Sequence, residues 1–133
     1  MAAVTEPVIA SKVANALIED AQGSQGHGHV VDRLDWLMDR FRRHYGGLWV
    51  GGRLTLTDRT LTFVPNAANR VANTGALDVE IDLTEVSGPV TVLPGFVTKI
   101  IAVPVGGMVF KARCWGARKM AERIQAAVAR LVR

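Results

Sequence analysis

One cysteine, Cys114, in 133 residues leaves no internal disulfide to form, so the cysteine count gives no reason to invoke an oxidising compartment. No apolar run approaches the roughly 18 to 20 residues that cross a bilayer as a helix, which argues against an integral membrane protein of that kind. The first twenty residues lack a basic stretch followed by an apolar core, and Glu6 and Pro7 stand where a signal peptide would be hydrophobic. The expected location is cytoplasmic, with a peripheral place at the inner face of the membrane left open. Motifs of catalysis are missing as well: there is no Gly-x-Ser-x-Gly, P-loop, His-Glu-x-x-His or Cys-x-x-Cys. His27, His29 and His44 cluster early in the chain, and a glycine-rich stretch does not fix the three or four ligands a metal needs. Cys114 has no base near it in sequence and reads as a core residue. No catalytic residue, metal or cofactor is therefore expected. No repeat of 20 to 50 residues is visible, which removes solenoids.

What remains is a chain with 49% apolar and 21% charged residues, the composition and length of one globular domain. The net charge of +4 is unevenly spread: from Trp115 to Arg133 five basic residues face the single acid Glu122. A basic end favours nucleic acid, anionic lipid or an acidic partner through long-range attraction, and it also suits a solvated helix end. No base-reading motif accompanies it, so nucleic acid is not expected.

Periodicity divides the chain. Thr5 as a cap, Pro7 in a first turn and Ile9, Val13, Leu17 and Ile18 at helical spacing predict a helix ending near Asp20. Residues 22–29, rich in glycine and histidine, read as a linker. A second helix is predicted from Val30 to Tyr45, with Leu34, Leu37 and Phe41 on its apolar stripe, Trp36 beside it, and Gly46 and Gly47 as its stop. After Gly47 the period falls to two. Leu54 and Leu56, then Leu61 and Phe63, alternate with polar residues about a turn at 57–59 and predict a hairpin. Residues 66–75 read as a loop, and Val79, Ile81 and Leu83 alternate with acids as a strand. Further strands are predicted over 86–93, 97–103 and 108–114, with a turn over 104–107, and a terminal amphipathic helix over 115–132. Short antiparallel strands closed by one helix suggest a curled sheet or small barrel.

The run Gly51-Gly52-Arg53-Leu54-Thr55-Leu56-Thr57-Asp58-Arg59-Thr60-Leu61-Thr62-Phe63 resembles the G-x-L-x-L-T-x-x-R-L-x-F hairpin of the GRAM family, within the pleckstrin-homology (PH) superfold. Val79 to Val86 is similar to that family's I-x-L-x-x-I element, and Met108-Val109-Phe110 before a terminal helix is similar to its end. Thr60 departs from the pattern, standing where the family usually has arginine, with Arg59 one place early. The likeness covers about residues 46–132. It implies an α+β fold: a seven-stranded antiparallel split barrel with Leu48 to Val50 as its short first strand, a capping C-terminal helix, and residues 1–45 as a helical extension before the domain at 46–133. It also implies a non-enzymatic module that binds protein or membrane lipid. High arginine relative to lysine accords with a GC-rich bacterial source.

Two interaction readings follow. The apolar stripes before the barrel need cover, which points to a protein partner or a second copy held by Leu17, Ile18, Leu34, Trp36, Leu37 and Phe41. Alternatively Arg53, Arg59, Lys111 and Arg113, all expected to face outward, form a diffuse patch for an anionic membrane surface. A phosphoinositide pocket is not expected, because the turn between the first two strands is read as Gly51-Gly52 with only Arg53 beside it.

Overall fold

A computed structural model describes residues 7–20, 49–66, 78–95 and 97–131. Seven strands make one antiparallel sheet: β1 (Val8–Asp20), β2 (Val50–Thr57), β3 (Thr60–Pro65), β4 (Val79–Asp82), β5 (Thr91–Leu93), β6 (Ile100–Val105) and β7 (Met108–Arg113). Their order across the sheet is β4-β3-β2-β1-β7-β6-β5, and the helix α1 (Ala117–Leu131) follows β7.

The predicted first helix is a strand. Ala14, Ala16 and Ile18 alternate inward and are buried, while Val13 and Asn15 point outward. The helical spacing of Ile9, Val13 and Leu17 mixes residues of both faces. Two of the three core positions are alanines, which mark an apolar face weakly, so alternation is hidden from a hydrophobicity reading. Thirteen residues at about 3.3 Å each give β1 a reach of roughly 43 Å. Its first part, Val8 to Ala16, pairs with β2 across a register shift between Val8 and Ala10. Its last part, Asn15 to Asp20, pairs with β7. One strand thus belongs to both halves of the sheet, and the barrel begins at β1 rather than at residue 46.

The hairpin and the strand β4 lie where periodicity predicts them. Val50, expected at the end of a separate first strand, belongs to β2 with Gly51 and Gly52, while Leu48 lies outside the described residues. A Cβ on Gly52 would lie 2.3 Å from the Val64 carbonyl oxygen and 2.7 Å from the Phe63 ring, so only glycine lets β2 approach β3 so closely. Residues 86–93 are a strand only over Thr91–Leu93, with Val86 making a lone bridge to Val105. The strand expected over 97–103 runs from Ile100 to Val105, carrying Pro104 inside it, and Gly106 at φ 58° turns the chain into β7. The second helix, the linker and most of the loop expected over 66–75 fall outside the described residues.

Inward side chains fill the interior. Leu54, Leu56, Leu61, Phe63, Ile81, Leu83, Ile101 and Phe110 are buried, and the rings of Phe63 and Phe110 meet at 6.2 Å and a tilt of 57°. Helix α1 closes this core with Met120, Ile124 and Ala127. Each fully buried large aliphatic side chain contributes about 1.5–3 kcal/mol.

Candidate interaction surface

Antiparallel pairing decides which outward side chains become neighbours. On the outer face Val13 of β1 stands opposite Arg53 of β2, which stands opposite Val64 of β3. One step along β1, Asn15 lies between Gly51 on one side and Arg113 on the other. Gly51 contributes no side chain to this face. The Arg113 guanidinium lies 5.2 Å from the centre of the Trp49 ring, a cation–π contact that holds both groups at this place. Arg53 donates from Nη1 to the Ser11 hydroxyl at 2.9 Å, and Ser11 is 3.3 Å from the Thr55 hydroxyl. Val13 is 71% exposed in the middle of the longest strand. This face thus combines charge with exposed hydrocarbon: Val13 lies beside Arg53, and Arg113 with the Trp49 indole lies by the next outward position of β1, Asn15.

The four basic residues singled out in the sequence are not assembled alike. Arg53 and Arg113 flank β1, whereas Lys111 is drawn to Glu19, its Nζ donating to Oε1 at 2.8 Å. Arg59 sits in the β2–β3 turn, where the buried Thr57 hydroxyl accepts the backbone N–H groups of Arg59 at 3.1 Å and Thr60 at 2.9 Å. Its charge acts on Asp82. That carboxyl is held below its ordinary range first by the Thr84 hydroxyl and the Thr84 backbone N–H, donating at 2.7 and 2.9 Å, with Arg59 assisting against partial burial.

Of the proposed protein-interaction residues, Ile18 is 1% exposed and belongs to the core, which corrects its placement on an accessible stripe. Leu17 is outward and half-buried opposite Lys111. Leu34, Trp36, Leu37 and Phe41 lie outside the described residues. Val13 and Trp49 were not selected in the sequence reading: the two inward alanines beside Val13 hide the alternation that would place it outside, and the contact of Trp49 with Arg113 joins residues far apart in the chain. The connection between the first two strands also differs from the expected Gly51-Gly52 turn, since it spans the chain between Asp20 and Val50.

Cys114 is buried, and that burial pushes its thiol pKa up against the opposing charge of Lys12. A thiol kept protonated is a poor nucleophile. No group of three or more potential metal ligands occurs among the described residues, and no helix among them is long and apolar enough to cross a membrane.

A seven-stranded antiparallel sheet whose first strand pairs with both second and seventh, closed by a C-terminal helix, defines the PH-like fold. Among solved structures the chain is similar to the Vps36 N-terminal PH domain, with a TM-score of 0.58 and 10% identity, over 99% of this chain and 86% of that one. At that identity the likeness establishes the fold alone. No family model and no curated protein matches the sequence.

Proposed function

We propose that this chain is a non-enzymatic binding module of PH type, GRAM-like in its β2–β3 hairpin, that holds a protein partner or a second copy of itself. The observation that supports it is Val13, 71% exposed on the outer sheet face, directly across from Arg53, which in turn stands opposite Val64. A large apolar side chain left in water among positioned arginines suits the desolvated centre and charged rim of a protein interface. Arg53 and Arg113 favour an acidic surface on the partner. The described interior is lined by buried apolar side chains and covered by α1.

Light scattering of the full chain beside Val13→Asp tests self-association, and a photo-crosslinking residue placed at position 13 in the native cell tests a different partner. The reading expects either a parent mass above the monomer that Val13→Asp lowers, or one reproducible cross-linked protein that Arg53→Glu releases. A monomeric parent with no cross-linked product would overturn it.

A further inference from the structure

Strand β1 carries a stretch of backbone that neither neighbouring strand uses. The Asn66 N–H donates to the Gly51 carbonyl at 3.0 Å, which makes these two a bonded pair of the β2–β3 ladder. Bonded and non-bonded pairs alternate along an antiparallel ladder, so Gly51, Arg53 and Thr55 aim their backbone groups at β3, while Gly52, Leu54 and Leu56 aim theirs at β1. Pro65, which has no N–H, falls opposite Gly52 at a non-bonded position, as that alternation requires. Across the β1–β2 register Ala10, Lys12 and Ala14 therefore carry the bonds to β2, and Ser11, Val13 and Asn15 aim the other way. Pro104 gives the same phase from the far side: it lies opposite Val109, so Val109, Lys111 and Arg113 turn to β1, where they meet Glu19, Leu17 and Asn15. That pairing stops at Asn15. Past Arg113 the chain buries Cys114, and Gly116, at φ 69°, swings it into α1. The N–H and C=O groups of Ser11 and Val13 thus face the side that β7 has left, and no hydrogen bond reaches them among the described residues.

The side chains around this edge suit one kind of occupant. Ser11 and Val13 are exposed on the outer face, and Trp115, where the chain leaves β7, is 73% exposed. Lys12 turns to the inner face, so near the start of α1 that a Cβ on Gly116 would lie 3.2 Å from its Nζ. Arg53 and Arg113 supply two further cations on the outer face, while Glu19 lies at the other end of β1 and is held by Lys111. A second copy pairing here would bring the same three cations, Lys12, Arg53 and Arg113, to the same edge, and like charges oppose that. The charge calls for an acidic guest.

We infer that an extended acidic segment of a partner protein adds to β1 as a further strand, bonded to the backbone of Ser11 and Val13 beyond the end of β7. Paired residues share a face, so the guest residues opposite Ser11 and Val13 lie on the outer face, where an apolar side chain covers Val13. The guest residue between them lies opposite Lys12 on the inner face, and a carboxylate there meets the ammonium. The recognition pattern is thus apolar and acidic residues in alternation, with main-chain bonds supplying the hold and the alternate side chains the choice. This rests on the protein-partner reading and deepens it: the edge of β1, and not its outer face alone, grips the partner.

The test uses the full chain and a fluorescein-labelled decapeptide of alternating Glu and Val, with an alternating Lys and Val decapeptide as the charge control. Fluorescence anisotropy is expected to show binding of the acidic probe alone. N-methylating the Val residues of the probe is expected to weaken binding about tenfold or more, since their N–H groups bond to β1, whereas N-methylating its Glu residues, whose N–H groups face away, is expected to matter far less. In the free chain the Ser11 and Val13 amides are expected to exchange with deuterium quickly and those of Lys12 and Ala14 slowly, and the probe is expected to slow the first pair. Ser11→Pro removes one edge N–H while sparing the ladder to β2, and is expected to lower affinity about tenfold at an unchanged thermal midpoint. If that variant does not fold, the methylated probes decide. No binding of the acidic probe, equal binding of the basic one, or equal loss on methylating either residue set would overturn the inference. So would Ser11 and Val13 amides already protected in the free chain; protection that vanishes on dilution would give the edge to a second copy. A protein cross-linked through position 13 that persists in Ser11→Pro, yet is released by Arg53→Glu, would overturn strand addition and leave the protein-partner reading standing.

Discussion

Gln125 of α1 accepts the backbone N–H of Val90 through Oε1 at 2.8 Å, fastening the capping helix to the segment that leads into β5. Strand β5 is only three residues long and is an edge of the sheet, so its lead-in has few ladder bonds of its own. Replacing Gln125 by Leu fills similar space but leaves the Val90 N–H without an acceptor. The expected cost is about 1–3 kcal/mol, read as a lower urea midpoint, with Gln125→Glu retaining most of the stability because it keeps the acceptor.

Neighbouring residues on β1 should differ sharply. Ile18→Ala opens a cavity in the core and is expected to cost about 2–5 kcal/mol, whereas Leu17→Ala, on the half-buried outer face, is expected to cost about 1 kcal/mol. A helical first segment would place both residues on one stripe. Equal losses in chemical denaturation would contradict the strand and its register.

Gly52→Ala is expected to destabilise by about 2 kcal/mol or more, because the new methyl would meet the Val64 carbonyl oxygen at 2.3 Å and that oxygen belongs to backbone. Gly88→Ala is the contrasting case. There the methyl meets the flexible Pro104 ring at 3.3 Å, and a shift of the ring accommodates it. Melting temperatures of the two variants should separate clearly from each other.

The lowered Asp82 carboxyl makes one contribution to stability pH-dependent. The group is more acidic folded than unfolded, so its contribution is fully present above the unfolded value near pH 4 and is lost as pH falls through the folded one. Thr84→Val removes the hydroxyl that is the largest cause of the shift. The acid limb of stability against pH should be shallower in Thr84→Val and in Asp82→Asn than in the parent. Parallel curves for all three would show that the carboxyl does not contribute.

How far the fold could be read in advance depended on the size of the inward residues. The β2–β3 hairpin was legible because Leu54, Leu56, Leu61 and Phe63 are large and alternate with polar neighbours. β1 was not, because its inward positions include Ala14 and Ala16 while the outward Val13 imitates a core residue. Gly51 and Gly52 looked like a turn, yet both lie within β2, Gly51 paired with Asn15 and Gly52 a point of close strand approach. The arginines of the outer face were identifiable as outward. Their company was not, since the contact of Arg113 with Trp49 depends on pairing between distant strands.

The placement of β1 also sets an order of events as the chain is made. Strand β1 leaves the ribosome early, but the partner of its second half is β7; Glu19 waits for Lys111, 92 residues downstream. Until that partner emerges, the half of β1 from Leu17 onward exposes an unpaired edge and the apolar side chain of Ile18. A nascent chain stalled before residue 108 therefore carries a half-built barrel, and what protects it from pairing with the wrong strand is the speed of elongation or a chaperone.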